Sequence, residues 1–201
     1  MPVRDRHGDL GGPSTPLGLV LAGGGSRRFG EGDAKLRATF RGRPLVCWAV
    51  DAARRALDEV VVVAGAVDLR SELGPEVEVV RHPDWSDGLA SSLRCGLDEA
   101  DRRGHDTVVV GLADQPLVPA EAWARVAARD SPVATATYGG RPNPPVRLAR
   151  SVWDLLPMRG EVGARELIRR RPDLVEEVPC PGRPDDVDTR TDLESLEKNH
   201  A

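Results

Sequence analysis

Residues 17–35 decide the fold of this chain, and they read Leu-Gly-Leu-Val-Leu-Ala-Gly-Gly-Gly-Ser-Arg-Arg-Phe-Gly-Glu-Gly-Asp-Ala-Lys. The first six residues, 17–22, form an apolar run with the length and composition of a fully buried strand. Three glycines follow directly, at Gly23, Gly24 and Gly25. Glycine lets the backbone turn sharply and leaves no Cβ between the main-chain amides and a ligand.

Positive charge follows the glycines at Arg27, Arg28 and Lys35. A strand that ends in a glycine turn followed by cations is suited to binding a phosphate group. An alternative interpretation is a tight strand-to-helix turn that has a basic surface. The chain lacks the Gly-Lys-Ser/Thr run of a Walker A loop. The third glycine of a dinucleotide fingerprint is replaced by Arg28. The stretch therefore predicts a nucleotide site of another kind.

Strand-like and helix-like segments alternate along the rest of the chain. Short apolar runs predict strands at 59–64, 77–81, 107–112, 133–137 and 174–178. Helical spacing or helix signals mark 45–57, 89–100, 119–129, 148–156 and 160–170. Residues 138–145 are rich in Gly and Pro and are expected to be irregular. The alternation predicts an α/β fold: a single-domain, three-layer sandwich with a mostly parallel, Rossmann-like sheet.

Two serines lie where a loop passes into a predicted helix, within Gly88-Leu89-Ala90-Ser91-Ser92-Leu93. Their hydroxyls, and the first amides of the helix, could bind a base or a sugar. The alternative is ordinary capping of the helix by Ser86 or Asp87.

Carboxylates follow two later segments. Asp114 comes just after the strand predicted at 107–112, so it is expected at the edge of the sheet where α/β proteins bind ligands. It could instead be a turn residue or a helix cap. Asp185, Asp186 and Asp188 belong either to a solvated turn or to a metal site. The following Thr191-Asp192-Leu193-Glu194 fits a capping box for a final helix.

The glycine-rich stretch resembles the signature loop of the MobA-like nucleotidyltransferases, through residues 21–26, Arg28-Phe29-Gly30 and Lys35. Residues 87–97 are similar to the second nucleotide-contacting segment of the molybdopterin cytidylyltransferase branch. Asp114-Gln115-Pro116 and Asp186-Val187-Asp188-Thr189 resemble two further motifs of the family. The chain departs from the family at Glu161, which replaces an aspartate, and at 143–145, where Asn-Pro-Pro stands in place of Gly-His-Pro.

The resemblance implies roles for individual residues. Lys35, Arg28 and Asp114 would be catalytic, and Asp114 and Asp188 would hold Mg²⁺. The nucleotide would contact Leu21, Ala22, Gly23, Gly24, Gly25, Ser26, Arg28, Lys35, Gly88, Ser91, Ser92 and Asp114. Residues 17–201 would form the nucleotidyltransferase domain, and residues 1–16 a disordered leader. The segment 138–145 is a candidate part of the acceptor site.

The implied reaction moves a nucleoside monophosphate from an NTP to a phosphorylated small-molecule acceptor such as molybdopterin, with a molybdoenzyme as a candidate recipient of the product. CTP is favoured over GTP because residues 88–93 resemble the cytidylyl branch, although Leu-Ala-Gly-Gly at 21–24 is typical of the guanylyl branch. Two rival interpretations remain: an NAD(P)H-dependent oxidoreductase, and a non-catalytic accessory protein that binds molybdopterin.

Composition restricts the remaining possibilities. A net charge of −4 argues against a general nucleic-acid binder. No apolar run approaches the roughly 18 residues of a membrane span. Cys47, Cys95 and Cys180 are far apart and form no Cys-x-x-Cys motif, which indicates a reducing, cytoplasmic setting without disulfides.

Overall fold

The structure is a computed structural model that describes residues 15–24, 29 and 35–198. The strands are β1 Leu17–Ala22, β2 Thr39–Phe40, β3 Arg43–Pro44, β4 Val60–Ala64, β5 Glu78–Arg81, β6 Thr107–Leu112, β7 Val133–Tyr138, β8 Arg141–Ala149 and β9 Val175–Pro179. The α-helices are α1 Leu45–Ala56, α2 Arg70–Leu73, α3 Leu89–Arg102, α4 Ala120–Ala127, α5 Arg165–Arg170 and α6 Arg190–Lys198. Short 3₁₀ helices span Lys35–Arg37, Trp85–Asp87, Arg150–Leu155 and Pro172–Leu174. The leader predicted at 1–16 lies, except for its last two residues, outside the described part of the chain.

Seven strands form one sheet in the order β5-β4-β1-β6-β8-β7-β9. β8 runs antiparallel to both of its neighbours, and the other strands are parallel to one another. The strands β2 and β3 form a small separate hairpin. The predicted α/β class and the mostly parallel, Rossmann-like sheet are confirmed.

Side chains alternate between the two faces of the sheet, because successive residues of a strand point in opposite directions. Val20 and Ala22 pack into a buried cluster with α1 and α4 on one face. Leu19 and Leu21 pack on the opposite face, in a cluster that includes α3 and the segment Arg150–Leu155. Because β1 is covered on both faces, all six of its residues are buried, and its sequence is a continuous apolar run.

The direction of the connections reverses beside β1. The chain passes from β1 outward through α1 to β4 and β5, and then returns through α3 to β6 on the other side of β1. The carboxyl ends of β1 and β6 therefore lie side by side at a topological switch point, where open α/β sheets bind ligands. Gly23 follows one of these strands and Asp114 follows the other within two residues.

The prediction that residues 138–145 are irregular was wrong, since residues from Arg141 onward belong to β8. The prolines of this segment are tolerated because β6 pairs with β8 only from Val146 to Ala149. Before Val146, β8 pairs with β7 alone, and the register between these strands shifts after Thr135. Proline lacks an amide proton, so it is accommodated where one side of a strand has no partner.

Two other local predictions were wrong. The helix expected at 148–156 is the end of β8 followed by the 3₁₀ helix Arg150–Leu155. The capping box of α6 uses Thr189 rather than Thr191: the amide of Thr189 donates to Asp192 Oδ2 over 2.7 Å, and the amide of Asp192 donates to Thr189 Oγ1 over 3.2 Å. Both registers fit the sequence pattern, and the position of the preceding loop selects the earlier one.

Among the described helices, none combines the length and the apolar character needed to cross a bilayer.

Candidate active site

Three charged side chains converge at the switch point. The Lys35 ammonium lies 2.6 Å from Asp114 Oδ2 and 3.2 Å from Asp188 Oδ1. The three residues come from the start of a 3₁₀ helix, from the loop after β6 and from the loop before α6. The sequence prediction named all three residues, and the structure brings them together.

Backbone hydrogen bonds hold the two aspartates side by side. The amide of Val187 donates to the Asp114 carbonyl over 3.0 Å, and the Val187 side chain is fully buried. The amide of Asp188 donates to Asp192 Oδ2 over 3.0 Å, which ties the loop to the first turn of α6. Asp188 is thus positioned by a buried anchor on one side and a helix cap on the other.

Lys35 is charged in this setting. Burial lowers the pKa of a lysine, but the charges of Asp114 and Asp188 and the hydrogen bonds to them outweigh burial and raise the pKa of Lys35 above its ordinary value. The pKa of the nearby Asp186 carboxyl is also raised, first by burial and then by the negative charge of Asp114, and for a carboxyl group this favours the neutral form. The site therefore contains one ammonium among several carboxyl groups.

The donor set fits a hard divalent cation. Mg²⁺ is bound in proteins by one or two carboxylates together with phosphate oxygens and waters. Asp114 is 22% exposed and Asp188 is 47% exposed, so both carboxylates can be reached by a metal–nucleotide complex. No cluster of three or more His, Cys, Asp or Glu with metal-binding geometry occurs among residues 15–24, 29 and 35–198. If Asp114 and Asp188 held Mg²⁺, phosphate oxygens and waters would supply its remaining ligands.

The end of β1 is packed closely against α3. A Cβ atom on Gly23 would lie 2.4 Å from Ser92 Oγ, so any other residue at this position would require the serine hydroxyl to move. Ser92 itself is 1% exposed. Gly24 is exposed, and no atom of the described residues lies within 4 Å of the position that its Cβ would occupy. The open side of this turn is available to a ligand at Gly24.

Ser91 has a different environment from Ser92. Its hydroxyl lies 2.7 Å from the Gly88 carbonyl oxygen and 2.9 Å from His82 Nε2. The hydroxyl donates to the carbonyl and can accept a hydrogen bond from the imidazole Nε2–H. These bonds join the start of α3 to the end of β5. The nucleotide-binding role expected for Ser91 stays a prediction.

The backbone conformation at position 88 requires a glycine. Its φ of +99° lies in the region that favours glycine, and a Cβ there would lie 2.6 Å from the backbone of Gly160. The Gly160 carbonyl accepts from the amide of Ala90 over 2.9 Å. The start of α3 is therefore capped by a distant loop, and not by Ser86 or Asp87.

Several expected nucleotide contacts cannot be compared with the structure. Gly25, Ser26 and Arg28 lie outside the described residues, so their roles stay predictions. Leu21 and Ala22 are buried at the end of β1.

A polar cluster beside the aspartates was not predicted from the sequence. Gln115 is 2% exposed, and its Nε2 lies 2.9 Å from Asn143 Oδ1, 2.9 Å from Asp186 Oδ1 and 3.3 Å from the Pro184 carbonyl. This amide links the loop after β6 to β8 and to the loop before α6. The Asp-Gln-Pro motif predicted a role for Asp114, but no pattern in the local sequence predicted that Gln115 joins three segments.

A family model described as "MobA-like NTP transferase domain" matches residues 18–175. The chain belongs to this family. It is 34% identical to the nicotine blue oxidoreductase of Paenarthrobacter nicotinovorans over 200 residues, covering 90% of this chain and 93% of that protein. It is also 36% identical to a molybdenum cofactor guanylyltransferase of Cereibacter sphaeroides over 130 residues, covering 64% of this chain and 65% of the guanylyltransferase.

The fold of this chain is also seen in solved structures. The crystal structure of Rv0371c from Mycobacterium tuberculosis H37Rv matches with a TM-score of 0.80 and 26% identity, covering 93% of this chain and all of that one. A structure of Rv0371c in complex with manganese matches with a TM-score of 0.76 and 25% identity, covering 92% of this chain and 99% of that one. The chain is thus a nucleotidyltransferase of the MobA-like family, and it shares the fold of these neighbours.

Proposed function

We propose that this chain transfers a nucleoside monophosphate, CMP, from CTP to a phosphorylated small molecule of the molybdopterin type and releases pyrophosphate. The observation that carries the proposal is the convergence of Lys35, Asp114 and Asp188 at the carboxyl ends of β1 and β6. This arrangement suits phosphoryl chemistry, which depends on positioning and charge neutralisation more than on covalent catalysis.

Each group has a distinct role in the proposed reaction. Asp114 and Asp188 hold Mg²⁺, which when bound neutralises charge developing on the α-phosphate. The backbone around Gly23 and Gly24 faces the triphosphate without side chains in the way. Lys35 supplies a compact positive charge for the phosphates, together with Arg28. An oxygen of the acceptor's phosphate attacks the α-phosphorus, the bond to the bridging oxygen breaks, and pyrophosphate leaves with that oxygen.

Relatives support parts of this proposal. The manganese complex of Rv0371c supports a divalent metal in a protein of this fold. The guanylyltransferase from Cereibacter sphaeroides supports a molybdenum cofactor acceptor, while its name favours GTP as the alternative nucleotide. The thiols of Cys47, Cys95 and Cys180 are all free, which supports a cytoplasmic location.

One experiment tests the reaction. The purified protein is incubated with Mg²⁺, each of the four NTPs and molybdopterin, and pyrophosphate release is measured. Release that requires both the acceptor and the metal supports the proposal. Absence of release with every NTP, from folded protein with metal and acceptor present, contradicts it.

A second candidate function is an NAD(P)H-dependent oxidoreductase, which is favoured by the 34% identity to a nicotine blue oxidoreductase over nearly the whole chain. It predicts NAD(P)H binding that is unaffected by EDTA and by loss of the Asp114 and Asp188 carboxylates. Titration of NAD(P)H fluorescence against the protein, with and without EDTA, separates the two functions.

A further inference from the structure

The loop after β6 and the loop before α6 lie side by side at the candidate site. The amide of Arg183 donates to the Leu117 carbonyl over 3.2 Å, and the amide of Val187 donates to the Asp114 carbonyl over 3.0 Å. These two bonds pair the loops in opposite chain directions. Gln115 lies between the two bonded pairs, and its side chain adds hydrogen bonds in the interval between them.

The Gln115 amide has one orientation that satisfies its surroundings. Asn143 Oδ1 and Asp186 Oδ1 each lie 2.9 Å from Gln115 Nε2, and the Pro184 carbonyl oxygen lies 3.3 Å from it. With the amide turned over, its oxygen would face three acceptors, so the nitrogen must be on this side. The nitrogen carries two protons, and the two shorter contacts can use both of them. Gln115 therefore donates one N–H to the Asp186 carboxylate.

Three carboxylates lie within electrostatic reach of one another here, those of Asp114, Asp186 and Asp188. Asp114 and Asp188 share the Lys35 ammonium, whereas Asp186 is bound by Gln115. In the part of the chain that the structure describes, no three such side chains converge with metal-binding geometry. The third carboxylate of the cluster is thus close to the other two and is held apart from them.

The number of carboxylates at a cation site affects both its affinity and its selectivity. Mg²⁺ is held by one or two carboxylates and keeps its other octahedral positions for phosphates and waters, whereas Ca²⁺ accepts roughly six to eight oxygens in a flexible geometry. A third carboxylate would occupy a position that a phosphate oxygen needs. It would also favour the larger cation.

We propose that Gln115 is a positioning residue that withholds the Asp186 carboxylate from the metal, so that the metal has two protein carboxylates and open positions for the triphosphate. Gln115 acts through Asp186 and not by contact with the metal. This role rests on the proposed metal site at Asp114 and Asp188. Residues that hold the carboxylates around a metal typically change its affinity by roughly 10–100-fold when they are replaced.

Metal binding in the absence of nucleotide and acceptor tests the role of Gln115. Gln115→Met keeps a side chain of similar length but removes both N–H donors, so Asp186 is free to join Asp114 and Asp188. We expect Mn²⁺ binding, measured by electron paramagnetic resonance of the free ion, to tighten by about tenfold. Displacement of Mn²⁺ by Ca²⁺ and by Mg²⁺ should show a larger gain in affinity for Ca²⁺. Damage to the fold would weaken metal binding, so it cannot produce this gain.

Further variants assign the gain to Asp186. In the Gln115→Met background, Asp186→Asn should remove the gain. In the otherwise unchanged protein, Asp186→Asn should weaken Mn²⁺ binding by no more than about threefold, the scale of one nearby charge in water, because that carboxylate is not a ligand. Asn143→Ala is the matched control, since it removes the other short contact of Gln115 and leaves the bond to Asp186, and it should not change Mn²⁺ affinity.

Thermal unfolding shows whether each variant is folded. Asp186→Asn retains an oxygen that can accept from Gln115, so the single variant still decides the matter if Gln115→Met does not fold. Equal or weaker Mn²⁺ binding in folded Gln115→Met overturns the proposed role. A gain that persists without the Asp186 carboxylate, or a loss of tenfold or more in Asp186→Asn alone, also overturns it.

These outcomes are distinct from those of the proposed reaction, because no nucleotide or acceptor is present. Tighter Mn²⁺ binding in Gln115→Met, in a protein that releases no pyrophosphate with any NTP, would support the role of Gln115 and contradict the proposed function. Pyrophosphate release by the wild type together with unchanged Mn²⁺ binding in Gln115→Met would overturn the role of Gln115 and leave nucleotidyl transfer intact.

Discussion

The Lys35 ammonium lies 2.6 Å from Asp114 Oδ2, although 79 positions separate the two residues in the chain. The same ammonium also contacts Asp188, so it occupies the space between two carboxylates that we assign to a metal. A cation at these carboxylates would compete with the Lys35 ammonium for Asp114 Oδ2 and Asp188 Oδ1. In the proposed reaction Lys35 would exchange the two aspartates for the phosphates of the nucleotide when metal binds.

Loss of either aspartate should abolish most of the activity. We expect Asp114→Ala or Asp188→Ala to lower the rate of transfer by about 100-fold or more, on the scale of losing a key electrostatic contact. The measurement is pyrophosphate release at saturating NTP and Mg²⁺, with circular dichroism to confirm folding. Asp185→Ala is the matched control, because Asp185 pairs with Arg183 at the surface. Near-normal turnover in both aspartate variants would show that the two-carboxylate site is wrong.

Replacement of Lys35 should affect the nucleotide. Lys35→Ala removes a point charge from the triphosphate, so we expect weaker NTP binding, slower transfer or both. Lys198 is the other lysine of the chain, and Lys198→Ala is therefore a matched control. Steady-state kinetics at varied NTP concentration give the result, and unchanged kinetics in Lys35→Ala would mean that this residue serves only the fold.

Replacement of Lys35 should strengthen the binding of metal in the absence of nucleotide. Lys35→Met removes the ammonium that competes with a cation for Asp114 and Asp188, so it should tighten Mn²⁺ binding. The expected gain is about tenfold, which corresponds to roughly 1.4 kcal/mol. Electron paramagnetic resonance of free Mn²⁺ measures this affinity without any turnover. Equal or weaker Mn²⁺ binding in Lys35→Met would argue that the carboxylates do not share one cation position.

Stability in acid should depend on Glu99. A hydrogen bond from Arg102, together with bonds and charge from Arg103, lowers the pKa of Glu99 from 4.5 to about 2. A lowered carboxyl pKa contributes stability that is complete above pH 4.5 and is lost as the pH falls from 4.5 towards 2. Urea unfolding at pH 7, 4.5 and 3 should show a smaller loss in Glu99→Gln than in the wild type. An equal loss in both proteins would mean that Glu99 is not a source of the acid sensitivity.

The sheet could be predicted from the sequence because strands buried on both faces are continuous apolar runs. The strands β1 and β6 were predicted with their observed limits, Leu17–Ala22 and Thr107–Leu112. The segment 138–145 could not be predicted, since proline excludes a central strand and the sequence does not reveal that β8 lacks one neighbour there.

The site was predictable only in part, for a physical reason. Asp114 could be placed at the sheet edge from local sequence, but the proximity of Lys35 and Asp188 followed from family resemblance, since their spacing carries no such information. Contacts between distant segments, such as that of Gln115 with Asn143, depend on the final packing. The pair formed by Ser91 and His82 depends on how the loop between them closes. No periodicity or motif in the sequence encodes these distances.

The choice of base can be tested through Ser92. Its hydroxyl lies against the Gly23 turn, whereas the Ser91 hydroxyl is bonded to Gly88 and His82. We therefore expect Ser92→Ala to reduce the preference for CTP over GTP more than Ser91→Ala does. A site that hydrogen-bonds one particular edge leaves its own polar groups unpaired with the wrong base, and discrimination can then reach about 10⁴-fold.

A competition assay gives the result, with the four triphosphates at equal concentration and the acceptor saturating. We expect the product to carry mainly CMP, because residues 88–93 resemble the cytidylyl branch and a pocket for a pyrimidine would be short of room for a purine. A product that carries mainly GMP would refute the CTP assignment, in agreement with the guanylyltransferase relative, and would leave nucleotidyl transfer standing. If no nucleotide were incorporated and NAD(P)H bound tightly, both assignments would fall, and the lysine–aspartate cluster would need a role in an oxidoreductase.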